Sequence, residues 1–344
     1  VVNNKILVTG GTGYIGSHTV VELIYQGFEP LIIDNLDNSN ISVLDGIEKI
    51  TGQRPSFQEL DLLDEAGLNS FFQHNKGIKA VIHFAAHKAV GESVQNPLKY
   101  YRNNVSGLIN LLREMQKNNI SHLVFSSSCT VYGQPDQLPV TEVTPVMPAM
   151  SPYGNTKQIG EEVIRDLCNS SSLRSVALRY FNPVGAHQSA LIGELPIGVP
   201  NNLVPFITQS AAGIIGPLKI FGKDYNTPDG TCIRDYIHVS DVADAHIFAM
   251  HRMLNEKQSS KFEVFNIGTG KGTSVLEAVL MFEEISGIKL HYSFVDRRSG
   301  DVEKVYADTQ LANKELGWKA QRDLREMLRS AWLWQQKLIA GENA

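Results

Sequence analysis

The chain has 344 residues, 42% of them hydrophobic and 19% charged, with a formal net charge of −5. That length fits two lobes around a cleft with a sizeable core, and the acidic balance without a long basic run excludes a nucleic-acid groove as the main site. The three cysteines, Cys129, Cys168 and Cys232, offer no disulfide framework and no C-x-x-C zinc spacing, so no metal is expected.

The chain enters its first strand at Lys5-Ile6-Leu7-Val8 without a leader-like segment, and no run of 18 apolar residues follows. A cytoplasmic enzyme with no membrane partner is the expectation. Short apolar runs at 5–9, 30–34, 80–85, 122–126 and 175–179 are rich in Val, Ile, Leu or Phe. Each is too short for a core helix and predicts a strand. Helix-length stretches such as 17–26 and 105–118 lie between them. The near-continuous apolar character of the strands predicts a parallel sheet covered on both faces. After about Pro183 glycine and proline become frequent, notably through 193–200, and a second lobe is placed there. A further apolar run at 262–267, ending in Gly268-Thr269-Gly270, is a candidate to rejoin the first sheet.

The first strand runs into Gly10-Gly11-Thr12-Gly13-Tyr14-Ile15-Gly16 and then a helix pattern. A pyrophosphate must approach the backbone closely here. Glycines at 10, 13 and 16 remove the obstructing Cβ atoms, and the helix start offers unpaired N–H groups. The second strand ends at Asp34, 21 positions after Gly13. An acid there accepts hydrogen bonds from the adenosine ribose and repels a 2′-phosphate. No Arg follows in Asn35-Leu36-Asp37-Asn38-Ser39, so NAD is favoured over NADP.

Farther along, Tyr153 and Lys157 form Y-x-x-x-K, one helical turn apart. An ammonium beside a phenol lowers the phenol pKa, and a tyrosinate can take the proton of a substrate hydroxyl as hydride leaves the same carbon. With 11 tyrosines in the chain the spacing alone is unspecific. Position decides: the pair follows a strand ending in Ser126-Ser127-Ser128, and parallel sheets place ligands at the carboxyl ends of strands. Ser128 is expected to bridge substrate and phenol. Arg234 and Arg298 suit phosphate oxygens through planar, bidentate donors.

These residues, with GGTGYIGS at 10–17, HFAAHKAVGES at 83–93, SSSCTVYG at 126–133, RYFNPVGA at 179–186, GTCIRDYIHV at 230–239 and RRSGD at 297–301, cover nearly the whole chain. The chain resembles the extended short-chain dehydrogenase/reductase family, and within it the UDP-hexose 4-epimerases. The resemblance implies an α/β fold: a Rossmann-type doubly wound parallel sheet with a smaller C-terminal α/β substrate lobe. Residues 1–182 would bind NAD, 233–268 would rejoin that domain, and 183–344 would mainly bind a UDP-sugar.

The implied roles are specific. Tyr153 is the base, Lys157 its electrostatic partner and a nicotinamide-ribose ligand, and Ser128 assists proton transfer. Tyr14, Ile15, Asp34, Asn35, Asn38, Ser39, Asp61, Leu62, Phe84, Ala85, Lys88, Asn103, Tyr180 and Phe181 join the three glycines around the cofactor. Asn182, Asn202, Leu203, Lys219, Phe221, Arg234, Tyr236, Arg298 and Asp301 hold the UDP-sugar. The implied reaction inverts C4 of a UDP-hexose by transient oxidation. Val305 stands where the galactose/glucose-only form has Tyr, so a pocket large enough for N-acetylated sugars is expected. A homodimer through a four-helix bundle is also implied. Val105, Leu108, Leu111 and Leu112 fit that interface, and fit a core equally well.

Three rivals stand beside this reading, one of them a decarboxylase, which would need a site for a sugar carboxylate and is the least firmly excluded. A nucleotide-sugar dehydratase wants an acid beside the serine, and Ser128 is followed by Cys129 and Thr130. A non-catalytic dinucleotide sensor has no need of Tyr153, Lys157 and Ser128 together.

Overall fold

The computed structural model describes residues 4–298 and 302–341. Its centre is a seven-stranded, wholly parallel sheet in the order β3-β2-β1-β4-β5-β6-β11. The first strands and helices are β1 (Lys5–Thr9), α1 (Tyr14–Tyr25), β2 (Glu29–Asp34), α2 (Val43–Thr51), β3 (Ser56–Glu59), α3 (Glu65–His74) and β4 (Ala80–His83). Then come α4 (Val90–Gln95), α5 (Pro97–Tyr100), α6 (Gly107–Lys117), β5 (His122–Ser128), α7 (Pro152–Ser170) and β6 (Arg174–Tyr180).

The remainder contains β7 (Asn182–Val184), α8 (Leu203–Ala211), β8 (Leu218–Phe221), β9 (Ile233–Arg234), β10 (Tyr236–His238) and α9 (Val239–Leu254). It closes with β11 (Phe262–Ile267), β12 (Thr273–Ser274), α10 (Val275–Ser286), β13 (Tyr292–Val295), β14 (Lys304–Val305) and α11 (Leu324–Ile339).

The central strands bury both faces, as their composition requires. Val20 and Leu23 of α1, Ile47 of α2 and Val242 of α9 cover one side; Leu68 of α3, Leu111 of α6 and Ile164 of α7 cover the other. The run at 262–267 pairs with β6 at the sheet edge. Strand order reverses between β1 and β4, which opens a crevice at their carboxyl ends, the usual ligand position in such sheets. A second core gathers Val204 and Ile207 of α8, Ile220 of β8, Phe282 of α10 and Leu328 of α11. Asn202, which heads α8, and Trp334 of α11 reach the same crevice.

Local signals fix the helix starts near the cleft. Ser151 caps α7, accepting from the Gly154 N–H at 3.2 Å, and Pro152 follows at the first helical position. Ser274 and Glu277 form a reciprocal capping box on α10. Leu108, Leu111 and Leu112 point into the core, so these three are not surface residues of α6. No described helix is long and apolar enough to cross a membrane.

Candidate active site

The turn between β1 and α1 is closed by glycine at each place where a side chain would intrude. Gly10 has φ +72° and a Cβ there would lie 2.6 Å from the Ala85 nitrogen; a Cβ on Gly16 would collide with the Gly10 carbonyl oxygen. Gly13 caps α1 without a side chain, leaving the helix N-terminus open to an anion. Asp34, at the end of β2, accepts from Thr12 N–H at 3.2 Å, Leu36 N–H at 3.0 Å and Ser39 Oγ at 3.1 Å. It holds the loop around the groove while its carboxylate faces the cleft. This cradle, with no cation beyond Asp34 in 35–39, fits an NAD-type dinucleotide.

One continuous cleft is lined by Gly10, Gly13, Tyr14, Ile15, Gly16, Asp34, Asn35, Asn38, Ser39, Asp61, Leu62, Phe84, Ala85, Lys88, Asn103, Tyr153, Lys157 and Tyr180. Asn182, Asn202, Arg234, Arg298 and Val305 line it as well. The two groups were assigned to different ligands, and the fold brings them to one cavity. The Asn182 Oδ1 is buried without a hydrogen-bond partner in the protein, as befits a group awaiting a ligand.

Six expected residues do not line the cleft. Tyr236 is consumed in the β10–β7 pairing beside Asn182, and Phe181 packs among Val131, Tyr132 and Val140. Leu203 packs on the second core; Lys219 and Phe221 face outward from β8, with the Arg298 guanidinium 6.0 Å from the Phe221 ring. Ser128 is buried at the end of β5, hydrogen-bonded to the Tyr153 phenol, and its Oγ accepts from Thr130 N–H at 3.2 Å and Thr130 Oγ1 at 3.0 Å. Asp301 lies outside the described residues.

The candidate pair, Tyr153 and Lys157, shares α7 one turn apart. Lys157 donates from Nζ to the Ser126 carbonyl at 2.7 Å, and the ammonium lies 6.0 Å from the Tyr153 ring centre. Burial holds the Tyr153 phenol well above its ordinary pKa, Tyr180 adds to the rise, and a hydrogen bond with Ser128 opposes it. Burial also lowers Lys157 to about 8, against the pull of Glu161. Desolvation is the largest influence on the phenol. Tyr180 is itself raised to about 12 by burial and shares a 2.5 Å hydrogen bond with Ser126 Oγ.

Sequence reasoning missed several residues on or under the cleft. Glu194 and Trp334 line it from the second lobe, and no motif marks either. Beneath it, Glu161 receives Ser127 Oγ at 2.6 Å and two hydrogen bonds from Arg179, at 2.9 and 2.6 Å. Glu161 stands four residues after Lys157 on the same helix face, which was the only available signal.

Known proteins share this layout. A family model described as GDP-mannose 4,6 dehydratase matches residues 7–331. The UDP-glucose 4-epimerase of Bacillus subtilis (strain 168) is 50% identical over 337 residues, 98% of each chain. The chain belongs to the UDP-glucose 4-epimerase family of extended short-chain dehydrogenases/reductases. Solved structures of this epimerase family superpose over almost the full length. The UDP-glucose 4-epimerase from Stenotrophomonas maltophila, with bound NAD and formylated UDP-arabinopyranose, is 48% identical with a TM-score of 0.94, covering 98% of this chain and 99% of its own. The enzyme from Bifidobacterium longum in complex with NAD+ and UDP is 43% identical with a TM-score of 0.93, at the same coverage. Dehydratase chemistry would need an acid after Ser128. This epimerase-family chain instead places the thiol of Cys129 there, lifted to about 12 by burial and so a weak proton donor near neutral pH.

Proposed function

We propose that the chain interconverts UDP-glucose and UDP-galactose by inverting C4 of the hexose, with NAD as its resident cofactor. The observation that carries this reading is the meeting of four features in one cleft: the glycine cradle, Tyr153, Lys157 and the arginines 234 and 298. NAD, when bound, supplies a reversible hydride acceptor and a positive charge near the phenol.

The protein's own residues do the rest. Arg234 and Arg298 bind the diphosphate, and Asn182 and Asn202 hold the nucleotide and sugar by amide contacts. Tyr153 receives the proton of the 4-hydroxyl and returns it after the sugar has turned over. Lys157, fixed by the Ser126 carbonyl, supplies the positive charge that a buried tyrosinate requires. Ser128 hydrogen-bonds to the phenol and steadies its position. Binding energy is concentrated on UDP, which leaves the ketohexose free to present either face.

Tyr153→Phe should cut epimerisation by about a hundredfold or more, while the purified variant still carries NAD. Near-normal turnover would reject the assignment.

Val305 supports a wider substrate range. It lines the cleft from β14, beside Arg234 in the β9 register, with its buried side chain against Phe181 and Val302. A small aliphatic wall leaves space for an acetamido group. UDP-N-acetylglucosamine should therefore yield UDP-N-acetylgalactosamine; no product after prolonged incubation would refute the wider range. We read the assembly as a cytoplasmic homodimer. Val94, Leu98 and Ile109 form the apolar surface of α4 to α6 that remains exposed once Leu108, Leu111 and Leu112 have entered the core.

A further inference from the structure

The segment 193–202 runs along the mouth of the cleft and ends at Asn202, the residue before α8. It exposes Leu195, Ile197 and Val199, at 44%, 65% and 68%, although all three line the cavity. Exposed apolar side chains at a cavity rim are suited to covering a ligand. Besides the bridge of Gly193 to Ala186, its hydrogen bonds gather at Glu194. A single carboxylate oxygen, Oε1 of Glu194, accepts from Lys88 Nζ at 3.1 Å and from Asn202 Nδ2 at 2.7 Å. The Glu194 carbonyl accepts from Trp334 Nε1 on α11 at 2.9 Å. Neighbouring Gly193 permits this seat, since a Cβ there would lie 2.6 Å from the Trp334 ring.

The partners of that oxygen belong to different halves of the cleft. Lys88 follows β4 on the dinucleotide side, and its ammonium also lies 5.8 Å from the ring centre of Tyr14 in the glycine turn. Asn202 heads α8 on the substrate side. We propose that Glu194 is a positioning residue that makes NAD retention and UDP binding mutually reinforcing. This rests on the NAD and UDP reading above.

The physical reason is shared order. A ligand that engages Lys88 fixes Glu194, and with it the strap and Asn202. The second ligand then finds the strap already ordered, so UDP and NAD reinforce each other through the strap as well as through any direct contact. Reciprocity follows: whatever factor NAD contributes to UDP affinity, UDP contributes to NAD affinity. Glu194→Gln keeps the side-chain shape and one acceptor but removes the charge that holds Lys88. Trp334→Phe keeps the aromatic packing and removes the indole donor.

The test measures NAD loss from the purified holoenzyme during repeated desalting, with and without saturating UDP. Released NAD is read by enzymatic cycling. UDP should slow loss from the unaltered protein by about tenfold, and by less than about twofold in Glu194→Gln. Trp334→Phe should show the same reduced protection, which guards against a fault peculiar to one variant. Equal UDP protection in the unaltered protein and both variants overturns the coupling role while leaving the proposed reaction intact. So does the absence of UDP protection in an unaltered protein that holds NAD and epimerises. An unaltered protein that binds neither NAD nor UDP overturns the functional reading, and the coupling with it.

Discussion

Arg179 and Glu161 face each other across the floor of the cleft, both almost fully buried, with the guanidinium 4.8 Å from the Tyr132 ring centre. Removing one partner of such a pair leaves the other charged and desolvated. Arg179→Met should therefore cost about 3–5 kcal/mol in urea unfolding. Combining it with Glu161→Gln should recover most of that loss, because no uncompensated charge remains; an additive double variant would contradict the pairing. The same residues show what a sequence can reveal at this scale. Tyr153, Lys157, Asp34 and the glycines are legible because chemistry dictates both their type and spacing. Arg179 and Glu161 are not, since their meaning lies in burial and in partners from different elements. The Tyr153 phenol shows the same limit: spacing places a lysine beside it, but only the packed cleft reveals that desolvation dominates its pKa.

The helical stretch expected at 105–118 begins at Pro97 and passes through a widened, π-type turn at Tyr101–Ser106 before continuing as α6. Such turns insert an extra residue and re-aim side chains, often at functional sites. Here the turn places Asn103 on the cleft wall and sends Asn104 the other way. Asn104 Oδ1 accepts the His87 N–H at 2.9 Å, and its Nδ2 donates to the His87 carbonyl and Thr156 Oγ1, each at 3.0 Å. One amide thus ties the turn to α7 and to the loop carrying Lys88. Asn104→Ala strands these buried groups and should lower stability by about 2 kcal/mol, with faster NAD loss because Lys88 and Asn103 are loosened together. An unchanged urea midpoint and unchanged NAD retention would rule out this role. Periodicity cannot register one extra residue in a turn, which is why the stretch read as one ordinary helix. β3 was invisible for another reason. Ser-Phe-Gln-Glu at 56–59 has little apolar character because β3 is an edge strand, pairing only with β2. The central strands were legible because helices cover both their faces.

At the scale of the whole molecule, the architecture buries five histidines, and four of them, His18, His83, His238 and His246, are the most strongly shifted. Desolvation lowers the first three to about 3 and His246 to about 4. In the unfolded chain each returns to about 6.5. A depressed histidine stabilises the fold fully above its unfolded pKa, and that contribution disappears as pH falls toward the folded value. Between about pH 6.5 and 5 the unfolded state therefore binds up to four protons that the native state refuses. Glu22 acts in the opposite sense, since burial raises it to about 7 and the native state takes up its proton first. The strongly depressed histidines outnumber it, so stability should fall as pH drops through this range. Urea midpoints of the NAD-loaded protein between about pH 7 and 5 would show the decline directly. His246→Phe offers the sharper arm. The ring packs between Phe84 and Tyr180, its Nε2 has no partner, and an apolar ring removes one of the four titrations. The variant should lose less stability per pH unit than the unaltered protein while turning over at neutral pH. A pH-independent midpoint in both proteins would mean that these rings admit protons without opening the fold, and burial would then have no hold on their titration.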